Sequence, residues 1–198
     1  MKLDAIVFGI AGTLFGVIIG WVLGSQQAAG TARTAAPVAQ SAPAQQQPAA
    51  APPPVVIDPE RVKALEAVAA QNPKDAQPRV QLGNMFFDGE QYPKAITWYE
   101  QAIALAPNDP DVSTDLGVAY YYTNQNDRAL TQFDHSLSIN PKHIKTLLNV
   151  GIVRAFGKQD LAGAGKAWQQ VVDLSPDSPE GQAAKKGLEG IKSASGAK

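Results

Sequence analysis

The sequence predicts an all-α protein: a solenoid of about three helix pairs with a flanking half-repeat and a cap helix, preceded by one transmembrane helix. Three observations predict it: residue types that recur at a fixed interval of about 34 positions, a long uncharged run near the N-terminus, and an Ala/Pro/Gln-rich segment between them. The predicted parts are an anchor (1–24), a disordered linker (25–57), a leading helix (58–74), three repeat units (75–178) and a cap helix with a tail (179–198).

The apolar run from Ala5 to Leu23 predicts a transmembrane helix. It contains no charged residue and no Pro, Asn or Gln. As a helix the run spans roughly 28 Å, close to the ~30 Å hydrocarbon core of a bilayer. A cleavable signal peptide is the alternative, because Gly30-Thr31-Ala32 resembles a cleavage site. The apolar stretch of such peptides is usually only ~7–15 residues long.

Few charges set the predicted orientation. The α-amino group and Lys2 precede the run and are opposed by Asp4, while Arg33 follows it. The positive-inside rule then favours a cytoplasmic N-terminus. The repeat domain is therefore predicted on the periplasmic or otherwise extracytoplasmic side of the membrane.

The segment 25–57 is predicted to be a tether. Ala, Pro and Gln make up most of it, and Arg33 is its one charge. Such a composition buries too little apolar surface to offset the entropy of ordering. Recognition of a proline motif by a partner is the alternative role.

The rest of the chain repeats itself. Copy one has Leu82, Gly83, Phe86, Ala95, Tyr99 and Pro107, and copy two has Leu116, Gly117, Tyr120, Ala129, Phe133 and Pro141 at one constant offset. Copy three has Val150, Gly151, Ala164, Trp168 and Pro176, with one residue inserted between Gly157 and Ala164. These positions resemble the tetratricopeptide repeat, a helix–turn–helix unit of about 34 residues.

The recurring residue types have physical reasons. A glycine inside a helix costs about 1 kcal/mol relative to alanine, so it is expected where a neighbouring helix leaves no space for a side chain. The recurring prolines end each unit because they cannot continue a helix. Asn108-Asp109 and Asp177-Ser178 resemble helix N-caps. Copy three is expected to be the least regular, with its extra residue in the turn between its helices.

The resemblance implies that the first helices of the units line a groove that binds a peptide or protein. It places Asp88 there, together with the candidate binding residues Asn84, Phe87, Val118, Tyr121, Tyr122, Lys145, Asn149, Ile152 and Phe156. Aromatic side chains bury large areas at a low entropic cost, which suits peptide binding. The alternative is that these aromatic residues only pack neighbouring first helices together.

One variant of peptide binding is disfavoured. Chaperone-binding members of the family clamp a terminal carboxylate with Lys and Asn from copy one, Asn from copy two, and Lys and Arg from copy three. Here Asn84 and Lys145 match, but Val80, Asp115 and Asn149 stand at the other three positions. A carboxylate at Asp115 would repel an incoming carboxylate.

The composition of the chain argues against catalysis. The chain has no cysteine, two histidines and a net charge of −1, so we expect no enzyme activity, no cofactor and no nucleic-acid partner. Asp109, Asp111 and Asp115 lack the glycine and glutamate of a calcium loop and are interpreted as helix-capping and solvated residues, with no metal site. His135 and His143 are expected at the surface.

The whole organisation resembles bacterial single-anchor envelope proteins with such repeats, of the cytochrome c maturation, translocon-associated and pilus assembly types. The resemblance implies a membrane-anchored scaffold that binds a protein partner during assembly of an envelope complex. The alternative is a structural membrane protein that associates with itself as a homo-oligomer and has no separate client.

Self-association would involve the anchor. Gly12, Gly16, Gly20 and Gly24 recur at every fourth position, a spacing that lets transmembrane helices approach closely. Contact of these glycines with lipid is the alternative.

Replacing Gly16 and Gly20 with leucine tests the glycine spacing. Bulky side chains would separate the two helices, so we expect a weaker dimerisation signal in a membrane reporter assay. An unchanged signal would show that the glycines face lipid.

Overall fold

Helices account for most of the described chain. A computed structural model describes residues 56–196, and within this range it contains helices, turns and no β-strand. The helices are α1 (Pro59–Gln71), α2 (Gln77–Asp88), α3 (Tyr92–Leu105), α4 (Pro110–Tyr122), α5 (Asn126–Ile139), α6 (Ile144–Ile152, continued by a π-helical turn, Val153–Gly157), α7 (Leu161–Leu174) and α8 (Pro179–Gly196). The predicted all-α class, with one leading helix, six repeat helices and a cap helix, is confirmed.

The predicted anchor, its four glycines and nearly all of the predicted linker lie outside the described residues. Between residues 56 and 196 no helix is both long enough and apolar enough to span a bilayer.

Local sequence explains where the helices begin and end. The carboxylate of Asp109 accepts the N–H groups of Asp111 (3.0 Å) and Val112 (3.1 Å) at the start of α4. The hydroxyl of Ser178 accepts the N–H of Gly181 (3.0 Å) at the start of α8, so both predicted caps are confirmed. Helices α3, α5 and α7 each end two residues before a recurring proline.

The helices stack in chain order. Each packs against the next, and the pairs α2/α3, α4/α5 and α6/α7 are the three repeat units. Helix α4 also contacts α6, and α6 contacts α8. The first helices of copies two and three and the cap helix therefore adjoin one another along one side of the stack.

The recurring glycines lie at equivalent helix–helix contacts, as predicted. At each of them a methyl group would overlap an aromatic ring from the second helix of the same unit. The pairs are Gly83 with Tyr99, Gly117 with Phe133, and Gly151 with Trp168. Glycine is thus required because a ring occupies the space of its side chain, and each ring is almost wholly buried as a result.

Copy three is irregular, but the prediction of an insertion in its turn is wrong. The three turns share one residue with a positive φ: Glu90 (56°), Asn124 (60°) and Gln159 (56°). This residue lies seven positions after the repeat glycine in copies one and two and eight positions after Gly151. The extra residue is therefore held within the helix end, where the N–H of Lys158 reaches back five positions to the carbonyl of Val153 (3.0 Å).

Arg154 occupies the position of the aromatic Phe86 and Tyr120 in copy three. Its guanidinium lies 2.8 Å from the carboxylate of Asp160, which also caps α7 through the N–H of Gly163 (2.8 Å). A side chain at Gly163 would overlap this ion pair. The third unit therefore has an ion pair at the position where the first two units have a buried aromatic ring.

A buried hydroxyl cluster connects copies two and three. The Oγ1 atom of Thr146 lies 2.6 Å from Thr114 Oγ1 and 2.8 Å from Ser136 Oγ. Thr114 and Ser136 both donate to the carbonyl of Pro110 (2.6 and 2.9 Å). Buried polar groups need such partners, so this network fixes how the two units pack.

The expectation that His143 is a surface residue is wrong. Its Nδ1 lies 2.6 Å from Thr146 Oγ1 and its Nε2 3.3 Å from a carboxylate oxygen of Asp111, and only 14% of its side chain is exposed. His143 thus extends the hydroxyl cluster to the surface.

Gly117→Ala tests the ring-on-glycine contact. The new methyl group overlaps the buried ring of Phe133, which outweighs the gain in helix propensity, so the free energy of unfolding should fall by about 1 kcal/mol or more. The matched control is Gly190→Ala in α8, which has no atom within 4 Å of the new methyl and should be stabilised by about 1 kcal/mol. Urea unfolding distinguishes the two signs, and equal stabilisation of both variants would contradict the contact.

Thr146→Val tests the hydroxyl cluster. The change keeps the shape of the side chain but leaves buried partners unsatisfied, so we expect a loss of about 1–3 kcal/mol in the free energy of unfolding. Thr97→Val is the control, because the exposed hydroxyl of Thr97 donates to its own helix, to Pro93 (3.1 Å). Its effect should stay within about 0.5 kcal/mol. Equal urea midpoints for both variants would show that the cluster adds nothing.

Candidate peptide-binding groove

The predicted binding residues lie on the first helices of the three units. We call the surface formed by α2, α4 and α6 with its π-helical turn the first-helix face. Phe87, Val118, Tyr121 and Tyr122 lie on it in copies one and two, and all four are half-buried. The repeat period places equivalent residues of successive units on this same face.

Phe87, Tyr121 and Tyr122 come together with Tyr92 in one aromatic cluster. The rings of Tyr92 and Tyr122 stack with centroids 4.5 Å apart, and the Phe87 ring meets both edge-on, at 5.4 and 6.0 Å. Tyr121 lies 6.0 Å from Tyr122. These residues pack neighbouring helices together, as the alternative interpretation holds, and their half-buried rings also form part of the surface.

Tyr92 was not predicted, and the sequence carries no signal for it. It begins α3, a second helix, and the equivalent positions in copies two and three are Asn126 and Leu161. Burial raises the pKa of Tyr92 to about 12, and Tyr122 and Glu90 add to that rise. Its phenol is therefore neutral at physiological pH.

The first-helix face also carries polar groups. The buried Tyr99 donates its hydroxyl to the side-chain oxygen of Asn84 (2.7 Å), which fixes the orientation of this exposed amide. Burial raises the pKa of Tyr99, and the nearby Asp115 and Asp88 raise it further. The ring that packs on Gly83 thus also carries a hydroxyl to the groove.

Asp115 is the most perturbed acid of the face. Burial raises the pKa of its carboxyl from 3.8 to about 7; Lys145 opposes the shift, and Asp111, Asp109 and Asp88 add to it. The interpretation of Asp115 as a solvated residue is therefore wrong, since the side chain is half-buried. At neutral pH its carboxyl is divided between the protonated and ionised forms.

The predicted binding residues of copy three do not join the aromatic cluster. Lys145 Nζ lies 3.6 Å from the carboxylate of Asp111, and the amide of Asn149 donates to the Lys145 carbonyl (2.9 Å). Ile152 and Phe156 pack against the buried cluster formed by copy three and the cap helix. The described contacts therefore place these two residues with the third unit, and Phe87, Tyr121 and Tyr122 with the aromatic cluster.

Within residues 56–196 no group of three or more His, Asp or Glu side chains is placed to hold a metal ion.

Comparison with known families gives a match to the TPR repeat over residues 83–123. This span covers most of copy one and the first helix of copy two. No curated protein shows a significant match to the chain.

Solved structures share the fold. The first TPR of Spaghetti (RPAP3) bound to the HSP90 peptide SRMEEVD aligns with a TM-score of 0.56 and 26% identity, covering 61% of this chain and 95% of that one. The Sgt2 TPR domain from Aspergillus fumigatus gives 0.55 and 27%, covering 61% and 79%. The second TPR domain of human RPAP3, in complex with the HSP70 peptide SGPTIEEVD, gives 0.53 and 21%, covering 60% and 98%, and shows likeness in fold alone.

The repeat glycines, the paired helices, the family match and the solved neighbours agree with one another. Together they support a tetratricopeptide-repeat protein, whose described helices form an all-α solenoid of that fold.

Proposed function

We propose that this protein is a membrane-anchored adaptor that binds a protein or peptide partner in the groove on the first-helix face. The fold is that of an interaction scaffold, which is generally non-enzymatic. Two structural neighbours are described with bound peptides, from HSP90 and HSP70. A role without catalysis also agrees with the composition of the chain, which lacks cysteine.

The aromatic cluster is the observation that carries this proposal. Phe87, Tyr121, Tyr122 and Tyr92 form a half-buried aromatic surface, and the polar side chains of Asn84 and Asp115 lie on two of the same helices, α2 and α4. Such a surface offers a peptide both a large contact area and orienting hydrogen bonds. Its rings are already packed against one another, so little side-chain entropy is lost on binding.

The anchor and the envelope role belong to the proposal and rest on the sequence. The run from Ala5 to Leu23 is predicted to hold the protein in the membrane with its N-terminus in the cytoplasm. As a flexible coil, the linker 25–57 would span about 30 Å. The linker would then confine the groove to a layer close to the membrane. This confinement raises the local concentration of membrane-bound partners during complex assembly.

A double variant tests the groove. Tyr121→Ala with Phe156→Ala removes two half-buried rings from the first-helix face. Two aromatic contacts of this kind are worth about 2 kcal/mol or more, so cross-linking to partners in the native membrane, read by mass spectrometry, should fall more than about tenfold. Helical content, measured by circular dichroism, should be retained.

The control removes apolar surface elsewhere. Leu105→Ala with Leu174→Ala truncates two exposed leucines at the ends of second helices, so partner cross-links should persist. If the groove variant retains its cross-links, the binding site lies on another surface of the protein. A full-length protein whose only cross-linked partner is another copy of itself would favour the structural, self-associating role.

A further inference from the structure

We propose that the cleft between α1 and α3 binds the side chain of a tyrosine from a partner protein. The leading helix and the second helix of copy one supply most of its lining, and none of the candidate groove residues takes part in it. The cleft is therefore a second binding site, which goes beyond the proposed function of the groove. The inference commits to a phenol group that is carried by a protein.

The cleft has an apolar wall and a polar rim. Its volume is about 460 Å³, and sites for small ligands usually measure ~300–1,000 Å³. The buried Phe86 and the half-buried Trp98 supply aromatic surface to the wall. Glu66 contributes to the rim from α1, and Gln91 and Lys94 contribute from the start of α3. A ring that carries one polar group would contact both parts.

The equivalent cleft of copy two lies between α3 and α5 and has the same pattern of polar residues. At the repeat offset an acid, an amide and a cation recur: Glu100 for Glu66, Gln125 for Gln91 and Arg128 for Lys94. The aromatic position differs, because the buried Phe86 of copy one corresponds to the buried Tyr120 of copy two. At this position the two clefts therefore differ by one hydroxyl group.

That hydroxyl joins the polar residues of copy two. Tyr120 donates it to the carboxylate of Glu100, and the guanidinium of Arg128 donates to the same hydroxyl oxygen (2.6 Å). Arg128 also lies 2.8 Å from the Glu100 carboxylate and donates to the side-chain oxygen of Gln125 (2.7 Å). A phenol that donates one hydrogen bond and accepts another is therefore what the fold itself places between these residues.

The described residues of copy one make none of these contacts. Among them, no hydrogen bond or ion pair joins the side chains of Glu66, Gln91 and Lys94, and Lys94 Nζ lies over the Phe86 ring, 5.1 Å from its centroid. Copy three has Arg154 at the aromatic position, where it pairs with Asp160 (2.8 Å). Copies two and three thus each hold an internally paired polar group at this position, and copy one does not.

The charges of the cleft favour a neutral ligand. Lys63 and Lys94 line it together with Glu66. An acidic or a basic ligand group would each meet a like charge, whereas a phenol can donate to Glu66 and accept from Lys94. Its ring would pack against Trp98. Tyrosine is enriched in protein interfaces, so a protein is the natural source of this phenol.

Binding of small probes tests the inference. The full-length protein, in mild detergent and with nitrogen-15-labelled tryptophan, is titrated with acetyl-Gly-Tyr-Gly-amide, with its phenylalanine analogue and with p-cresol. The indole signal of Trp98 should shift with the tyrosine peptide and with p-cresol. Because hydrogen bonds to charged groups are strong, the tyrosine peptide should bind at least about fivefold more tightly than the phenylalanine peptide. Trp168 is the internal reference, since its indole N–H donates to the carbonyl of Leu148 (3.1 Å) inside copy three.

Phe86→Tyr tests the missing hydroxyl. The new hydroxyl would join Glu66 and Lys94 as Tyr120 joins its own partners, so affinity for the tyrosine peptide should fall more than about fivefold. The urea midpoint should stay unchanged or rise, which separates loss of binding from misfolding. Tyr120→Phe, the reverse change in copy two, is the matched control and should keep the affinity measured at Trp98.

Glu66→Ala tests the acceptor. Without this carboxylate the tyrosine peptide should bind no more tightly than the phenylalanine peptide. Glu189→Ala truncates an exposed glutamate of α8 and should retain the preference for tyrosine. Alanine favours helices, so both variants should keep their helical content in circular dichroism.

Several results would overturn the inference. They are an unchanged Trp98 signal with every probe, equal affinity for the tyrosine and phenylalanine peptides, and undiminished binding or a lowered urea midpoint in Phe86→Tyr. A response to p-cresol without one to the tyrosine peptide would also contradict it, because the ligand would then be a small molecule.

The groove variant separates this inference from the proposed function. Tyr121→Ala with Phe156→Ala leaves the lining of the cleft unchanged and should retain the response of Trp98. Loss of that response would place the probe in the groove and overturn the inference alone. Retained partner cross-links in the same variant would instead contradict the proposed function and leave the cleft as a binding site.

Discussion

The contact between a bare glycine and an aromatic ring holds each repeat unit together. In all three units a ring from the second helix occupies the space where a side chain of the first helix would lie. This contact sets the distance between paired helices, and the stacking of pairs then places α2, α4 and α6 along one face. In copy one the same ring, Tyr99, carries its hydroxyl to Asn84. The residue that packs the two helices together therefore also orients a polar side chain of the groove.

Much of the fold could be predicted because this contact is local. Its two members lie on consecutive helices of one unit, so the recurrence of glycine, alanine and an aromatic residue reveals each helix pair. The location of the inserted residue in copy three could not be predicted in the same way. The spacing between copies two and three shows that one residue has been added. Whether this residue lies in the turn or in the helix depends on backbone hydrogen bonds. The π-helical turn before Lys158 holds it in the helix.

The candidate site was predicted less completely, because its details depend on contacts between units. The period and the resemblance to the family indicated which residues share the first-helix face. They could not indicate Tyr92, which joins the aromatic cluster from a second helix and has no aromatic counterpart in the other copies. Nor could they indicate that His143 completes a hydroxyl cluster with Thr114 of the preceding unit. Such contacts join residues of different units and follow no repeated pattern.

Asp115 differs in charge from its counterparts in the other two copies. The equivalent positions in copies one and three hold the neutral amides of Gln81 and Asn149, which the fold accommodates without a buried charge. A carboxylate at this position loses hydration, which raises its pKa; Lys145 opposes the rise, and Asp111, Asp109 and Asp88 add to it. The raised pKa means that the ionised side chain costs stability at neutral pH. A local conflict of this kind in an otherwise consistent structure is typical of functional sites.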